Sequence, residues 1–151
     1  MKLSEHFSLD ELTFSQTAIR NGWENIPSVE VLDNLKRLCG EGLEPLRDFI
    51  GKPITITSGY RNLRLNKAIG SKDSSYHTKG LAADIIIKGM SVEQLMRAVI
   101  QSDIEFQQVI LEFPNPDGTG GWVHFAIPAL GQKPKMEKLI IDRNGVRLFD
   151  S

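Results

Sequence analysis

An α+β fold with a central, mainly antiparallel sheet and flanking helices is what the sequence predicts. Two observations predict it. Helical patterns gather in the first fifty residues, while short β-branched and apolar runs gather after Pro53. Beyond residue 103 these runs follow one another too closely for the long crossovers that a regular parallel sheet needs. The 151 residues suit a single domain with a real core, taken as residues 1–151.

Ser8 opens the first element. In S-L-D-E-L an acid stands three positions after a serine, the pattern of a capping box, and this predicts a short helix over residues 8–12. A turn-rich stretch through Asn21, Gly22 and Pro27 leads to the strongest helix. Ser28 caps it, Glu30 suits its positive end, and Val29, Leu32, Leu35, Leu38 and Leu46 recur at helical spacing. It should run to about Phe49, bent near Pro45, and stop at Gly51 and Pro53. Glu41, Glu44 and Asp48 read as its solvated face. The single cysteine, Cys39, falls in the apolar pattern and reads as a buried small residue; no intramolecular disulfide is possible.

I-T-I-T at 54–57 is a β-branched strand. S-G-Y-R-N then turns, residues 63–69 form a helical turn ending at Gly70, and residues 71–80 read as polar loop. A-A-D-I-I-I-K at 82–88 is a second strand. Ser91 caps a helix reaching about Ser102, with Val92, Leu95, Met96 and Val99 on one face. Q-Q-V-I-L-E-F at 107–113 and W-V-H-F-A-I at 122–127 are further strands, joined by the turn-forming P-N-P-D-G-T-G-G. The tail K-L-I-I-D-R-N-G-V-R-L-F folds as a hairpin across Asn144 and Gly145.

Composition narrows the function. A formal net charge of -1 and the lack of a basic stripe argue against a nucleic-acid partner. No apolar run approaches the ~20 residues of a membrane-spanning helix, so no membrane insertion is expected. The opening K-L-S-E-H-F has no apolar core of signal-peptide length, and synthesis in the cytoplasm without a signal peptide is expected.

Chemistry concentrates in two stretches. S-Y-H-T-K-G-L-A-A-D at 75–84 holds His77 and Asp84, and W-V-H-F holds His124; the chain has only three histidines. Strand alternation puts Ala82, Asp84 and Ile86 on one face and Ala83, Ile85 and Ile87 on the other. It likewise separates Trp122, His124 and Ala126 from Val123, Phe125 and Ile127. Were the two strands neighbours, Asp84 and His124 would converge, and His77 would reach them from a loop that Gly80 lets turn sharply. Two imidazoles and a carboxylate suit a zinc ion that keeps an open position for water. The same residues also suit packing, a histidine between Trp and Phe and an aspartate capping a turn, and spacing alone does not choose.

The residues resemble a known family. S-x-H-x-x-G-x-A-x-D is matched by Ser75, His77, Gly80, Ala82 and Asp84, S-G-Y-R precedes it at 58–61, and W-V-H-F closes the set. From about Leu3 to about Pro128 the chain resembles the M15 group of zinc D-Ala-D-Ala carboxypeptidases and peptidoglycan endopeptidases, in particular its short phage- and prophage-associated branch. The resemblance implies the α+β fold shared with the Hedgehog signalling domain. It implies that His77, Asp84 and His124 bind Zn²⁺ and that Arg61 contacts substrate. A guanidinium there can hold a peptide carbonyl and stabilise the developing oxyanion. Ser75 either hydrogen-bonds substrate or shapes the loop.

One departure stands out. Many members carry a catalytic acid three residues before the last histidine ligand, and that position here is Gly121. A general base must then come from elsewhere. Glu112 ends the third strand on the face opposite Val109, Leu111 and Phe113 and is the preferred candidate, with Asp117 of the turn as the other. His6 and Tyr60, Tyr76 and Trp122 read as structural, although the aromatics could line a peptide groove. The expected function is a zinc-dependent, monomeric peptidase of peptidoglycan stem peptides, cutting D-Ala-D-Ala or an internal bond such as L-Ala-D-Glu. It would reach the wall after holin-type release or as a virion component. The alternative is a non-hydrolytic, zinc-containing wall-binding or virion structural module, which Gly121 favours and Glu112 opposes.

Overall fold

A computed structural model describes residues 1–150. The first helix, α1 (Leu9–Thr13), carries the expected capping box: Ser8 accepts the Glu11 N–H at 3.2 Å, and the Glu11 carboxylate accepts the Ser8 N–H at 3.0 Å. A second short helix, α2 (Gln16–Asn21), replaces part of the expected turn region. Ser15 caps its start and Gly22, at a φ of +66°, ends it.

The long helix is three segments. After α3 (Val29–Arg37) the chain widens into a π-helical turn (Leu38–Leu43) before α4 (Glu44–Ile50). Pro45, near the start of α4, has no N–H and its ring crowds the carbonyl four residues back, so the irregularity falls just upstream of the proline. Leu35, Leu38, Cys39, Leu43 and Leu46 are fully buried. Val29, expected on this face, is 78% exposed, because the first turn stands clear of the core and Val31 packs there instead.

Glu44 also departs from its expected solvated role. It accepts hydrogen bonds from Ser4 Oγ at 2.5 Å and the His6 N–H at 2.7 Å, and its other oxygen lies 2.7 Å from His6 Nδ1. Partial burial acts to raise this carboxyl, but the bonds from Ser4 and His6 outweigh it and hold the group below its ordinary value of 4.5. Its stabilising contribution is therefore complete above pH 4.5 and is lost as pH falls through the lower folded value. Thermal melts from pH 7 down to pH 3 are expected to show a smaller acid-induced loss for Glu44→Gln than for wild type; equal losses would contradict this assignment.

The remaining elements are β1 (Thr55–Ser58), α5 (Leu63–Ala68), a 3-10 turn (Tyr76–Lys79), β2 (Ala82–Ile86), α6 (Val92–Gln101), β3 (Gln108–Glu112), β4 (Trp122–Ala126), β5 (Glu137–Asp142) and β6 (Gly145–Leu148). The six strands form one sheet in the order β1-β2-β4-β3-β5-β6. Every neighbouring pair is antiparallel except β3 and β5. The β4–β5 connection carries the chain back to run alongside β3, on the side away from β4. The tail hairpin forms, but its turn is Arg143 and Asn144, one residue earlier than expected, and Gly145 already pairs with Asp142 as the first residue of β6.

The sheet has two unlike faces. Ala83, Ile85, Val109, Leu111, Val123 and Phe125 join the core with the long helix and with Leu95, Met96 and Val99 of α6. The opposite face is set by the same period-two alternation and carries the polar residues.

Candidate metal centre

Register brings the polar residues together. Asp84 of β2 pairs directly with His124 of β4, and His124 pairs in turn with Ile110 of β3. His77 enters from the 3-10 turn, whose first residue is capped by Ser75; Ser75 Oγ accepts the His77 N–H at 3.2 Å. Gly80 ends that turn at a φ of +74°. Ser75 thus shapes the loop, and it also lines the cleft.

The three donor atoms form a tight triangle. His77 Nε2 is 3.1 Å from Asp84 Oδ1 and 3.2 Å from His124 Nδ1, and the latter is 3.3 Å from Asp84 Oδ1. All three residues are buried, and together they form a group that could hold a metal ion. Ligands at about 2.0–2.1 Å around a tetrahedral ion stand roughly 3.3 Å apart, so the triangle has the right size. Its protonation has the right sense too. His77 Nδ1 lies 2.8 Å from the Gly59 carbonyl, which can only accept, so Nδ1 carries the proton and Nε2 of the neutral ring presents a lone pair. Asp84 contributes a second acceptor. Burial acts to raise its carboxyl; were the two rings protonated, their charge and hydrogen bonds would outweigh it and hold the group far below the ordinary range. His124 Nε2 is buried without a partner, so no second hydrogen bond ties that ring down.

Gly59 holds this arrangement by close approach. A Cβ there would sit 2.3 Å from the Leu12 carbonyl oxygen, while Tyr60 N–H donates to that same oxygen at 2.7 Å. Gly59→Ala is expected to push the strand-end segment off α1 and shift the carbonyl that orients His77. A loss of about 1–3 kcal/mol, the scale of overpacking, should accompany weaker metal uptake. Melting temperature and bound metal per chain measure both, and an unchanged metal affinity would contradict the orienting role.

Around the triangle lies an open cleft of about 780 Å³, lined in part by Arg61, Tyr76, Glu112 and Trp122. This size falls within the range of ligand sites. Glu112 faces the cleft from the end of β3, as expected. Burial and the nearby Asp84 charge push its carboxyl up, against the opposing pull of His124, Trp122 and Arg61. Arg61 is anchored through Nη1 to Ser58 Oγ and through Nε to Asn66 Oδ1, each at 3.0 Å. Burial lowers its pKa, and the charges of Asp84 and Glu112 act in the opposite direction. Asp117 does not join them: it is exposed, accepts from Thr119 within its own turn, and lines a different cavity.

Gly121 has a backbone reason. Its φ is +73°, and a Cβ there would meet the Glu112 carbonyl oxygen at 2.5 Å and Pro114 N at 2.8 Å. This backbone excludes a side chain three residues before His124, and Glu112 itself is among the residues crowding the position. Phe113 corrects another expectation. Its φ of +51° turns it out of the strand alternation, so it does not pack beside Leu111; it is 46% exposed and lies 5.7 Å from the Trp122 ring at the cleft. Tyr76 and Trp122 do line the cleft, whereas Tyr60 is core and His6 serves Glu44.

A family model described as Peptidase M15 matches residues 5–115, most of the chain, and the chain belongs to that family. The matched stretch includes Arg61, Ser75, His77, Asp84 and Glu112, while His124 lies beyond it on β4. No curated protein matches the chain. Among the described residues no helix is long and apolar enough to cross a membrane.

Proposed function

We propose that this M15 peptidase is a zinc-dependent enzyme hydrolysing stem peptides of bacterial peptidoglycan, and that residues 1–151 act as one monomeric domain. The observation carrying this reading is the convergence of His77, Asp84 and His124 with Glu112 and Arg61 in a single cleft. His77 Nε2, Asp84 Oδ1 and His124 Nδ1 would hold the ion. When bound, zinc supplies a Lewis acid for the scissile carbonyl and lowers the pKa of a water toward ~7.

The chain's own groups divide the rest of the work. Glu112 is the general base: it takes the proton from the attacking water and delivers it to the departing amine. Its partial burial in the cleft disfavours the charged carboxylate, which favours proton uptake. Arg61 donates to the carbonyl oxygen as negative charge develops there, and its two side-chain anchors limit the reorganisation this requires. Ser75 keeps the His77 loop in shape and can offer its hydroxyl to the substrate backbone. The bond cut is the terminal D-Ala-D-Ala bond or an internal one of the L-Ala-D-Glu kind, in the manner of a phage lysin acting on the wall after release or from a virion.

Gly121 favours a second reading, a zinc-holding wall-binding module without hydrolysis. The position of Glu112 weighs against it, because a carboxylate is supplied to the cleft from a neighbouring strand. One experiment separates the two. Zinc-loaded protein is incubated with purified peptidoglycan and new amino groups are counted. Release is expected, stopped by a chelator and restored by zinc. Wall binding without amine release from several wall types would favour the second reading.

A further inference from the structure

Four polar or charged residues are buried among the described residues. Three are His77, Asp84 and His124. The fourth is Asn66 in α5, with no exposed surface at all. Burying a primary amide costs several kcal/mol on the order of 2–7 unless its hydrogen bonds are made, so its partners show what it is for. Asn66 Oδ1 accepts Arg61 Nε–H at 3.0 Å, and Nδ2 donates to the Lys72 carbonyl at 2.7 Å. Its main chain is used as well: the Asn66 carbonyl accepts the Ser71 N–H at 3.0 Å. One side chain thus ties the arginine of the cleft to the backbone of the cleft's outer wall, where Ser71, Lys72 and Ser75 stand.

We infer that Asn66 is a positioning residue that sets the plane of the Arg61 guanidinium and locks it to the 71–75 wall. A guanidinium is planar, so fixing Nε through Asn66 and Nη1 through Ser58 fixes the direction of every remaining N–H. The chemistry also explains the residue type. The position needs an acceptor and a donor on one short planar group. Aspartate lacks the donor and would neutralise Arg61, leucine lacks both, and glutamine is one methylene too long. A neutral amide orients the cation and leaves its charge for the substrate oxygen.

The role of Arg61 rests on the peptidase reading above, so the test has one arm independent of hydrolysis. The Arg61 Nε–H signal in nitrogen-edited NMR, assigned by its loss in Arg61→Lys, is expected to exchange slowly in wild type. It should vanish into solvent exchange in Asn66→Ala and persist in Asn66→Asp, which keeps the acceptor. A protected signal in folded Asn66→Ala overturns the inference whether or not the protein cuts anything.

The second arm is a double-mutant cycle in kcat/KM. Asn66→Ala is expected to cost about tenfold or more in the wild-type background and less than about twofold in the Arg61→Ala background. Equal losses in both backgrounds mean that Asn66 is merely structural, and they overturn the inference. Should Asn66→Ala not fold, Asn66→Asp replaces it in the cycle: it is expected to keep the protected signal yet lose about tenfold in kcat/KM through neutralised Arg61. Full activity in that variant overturns the inference equally. An inactive wild type would sink the peptidase reading and leave the NMR arm to decide this one.

Discussion

Glu112→Gln is expected to lower peptidoglycan hydrolysis by roughly 10²–10⁴-fold, the usual worth of a positioned acid–base group, with zinc content unchanged. The substitution keeps volume and hydrogen-bonding atoms but cannot take a proton. Glu112 is not one of the three atoms of the triangle, so the loss should fall on turnover rather than on metal affinity. Asp117→Asn serves as the control. That residue is exposed and engaged with Thr119 in its own turn, so its removal should leave the rate close to wild type. Assays of amine release with metal analysis on the same samples check both variants. An active Glu112→Gln together with an inactive Asp117→Asn would reverse the assignment.

Asp84→Asn is expected to abolish activity by a different route, loss of the metal. The side chain keeps its shape while the only negative charge of the triangle disappears. Changing groups that merely orient metal ligands costs roughly 10–100-fold in affinity, and removing the anionic ligand should cost more. The metal-free fold is expected to tolerate the change. The largely buried strands β2 and β4 hold the residue in place, and an amide can still hydrogen-bond the two imidazoles at about the same separations. Zinc titration followed by competition with a chelator measures the affinity, and a melt in excess chelator checks the fold. Wild-type affinity in Asp84→Asn would remove Asp84 from the metal centre.

The two variants separate because the sequence encodes the site in two ways. Strand alternation alone puts Asp84 and His124 on the polar faces of their strands, and it puts Glu112 on the polar face of the next. Those three positions are legible once β2, β4 and β3 lie side by side, an adjacency that local patterns do not state. Of the antiparallel pairs, β3 with β4 and β5 with β6 follow from short connections, whereas β1 with β2 and β2 with β4 close over longer stretches of chain. The parallel pairing of β5 with β3 is not stated locally either, because it depends on the segment between β4 and β5 returning on the far side of β3. The capping box at Ser8 and the serine cap at Ser91 mark helix starts with local chemistry and are read directly; the structure completes the second as a box with Gln94. The α2 helix was hidden although Ser15 and Gly22 bracket it, since its six residues carry little apolar periodicity.

Where the sequence misleads, long-range contacts are the cause. Glu44 has the spacing of a solvated helix face, yet the N-terminal segment folds over it through Ser4 and His6. Phe113 continues the alternation of β3 in the sequence, but the strand ends before it in a left-handed turn. Asn66 gives no local sign of burial; the one available signal is a polar residue five positions after Arg61, within reach of its side chain once the turn closes. Gly121 reads as a missing acid, whereas the backbone beside Glu112 leaves no room for a side chain there.

The most direct measurement is anomalous diffraction at the zinc edge from crystals of the zinc-loaded chain. One peak within bonding distance of His77 Nε2, Asp84 Oδ1 and His124 Nδ1, on the side open to Glu112 and Arg61, is the expected result. Zinc-saturated crystals with the peak elsewhere, or with none between these three atoms, would contradict a metal centre at this site.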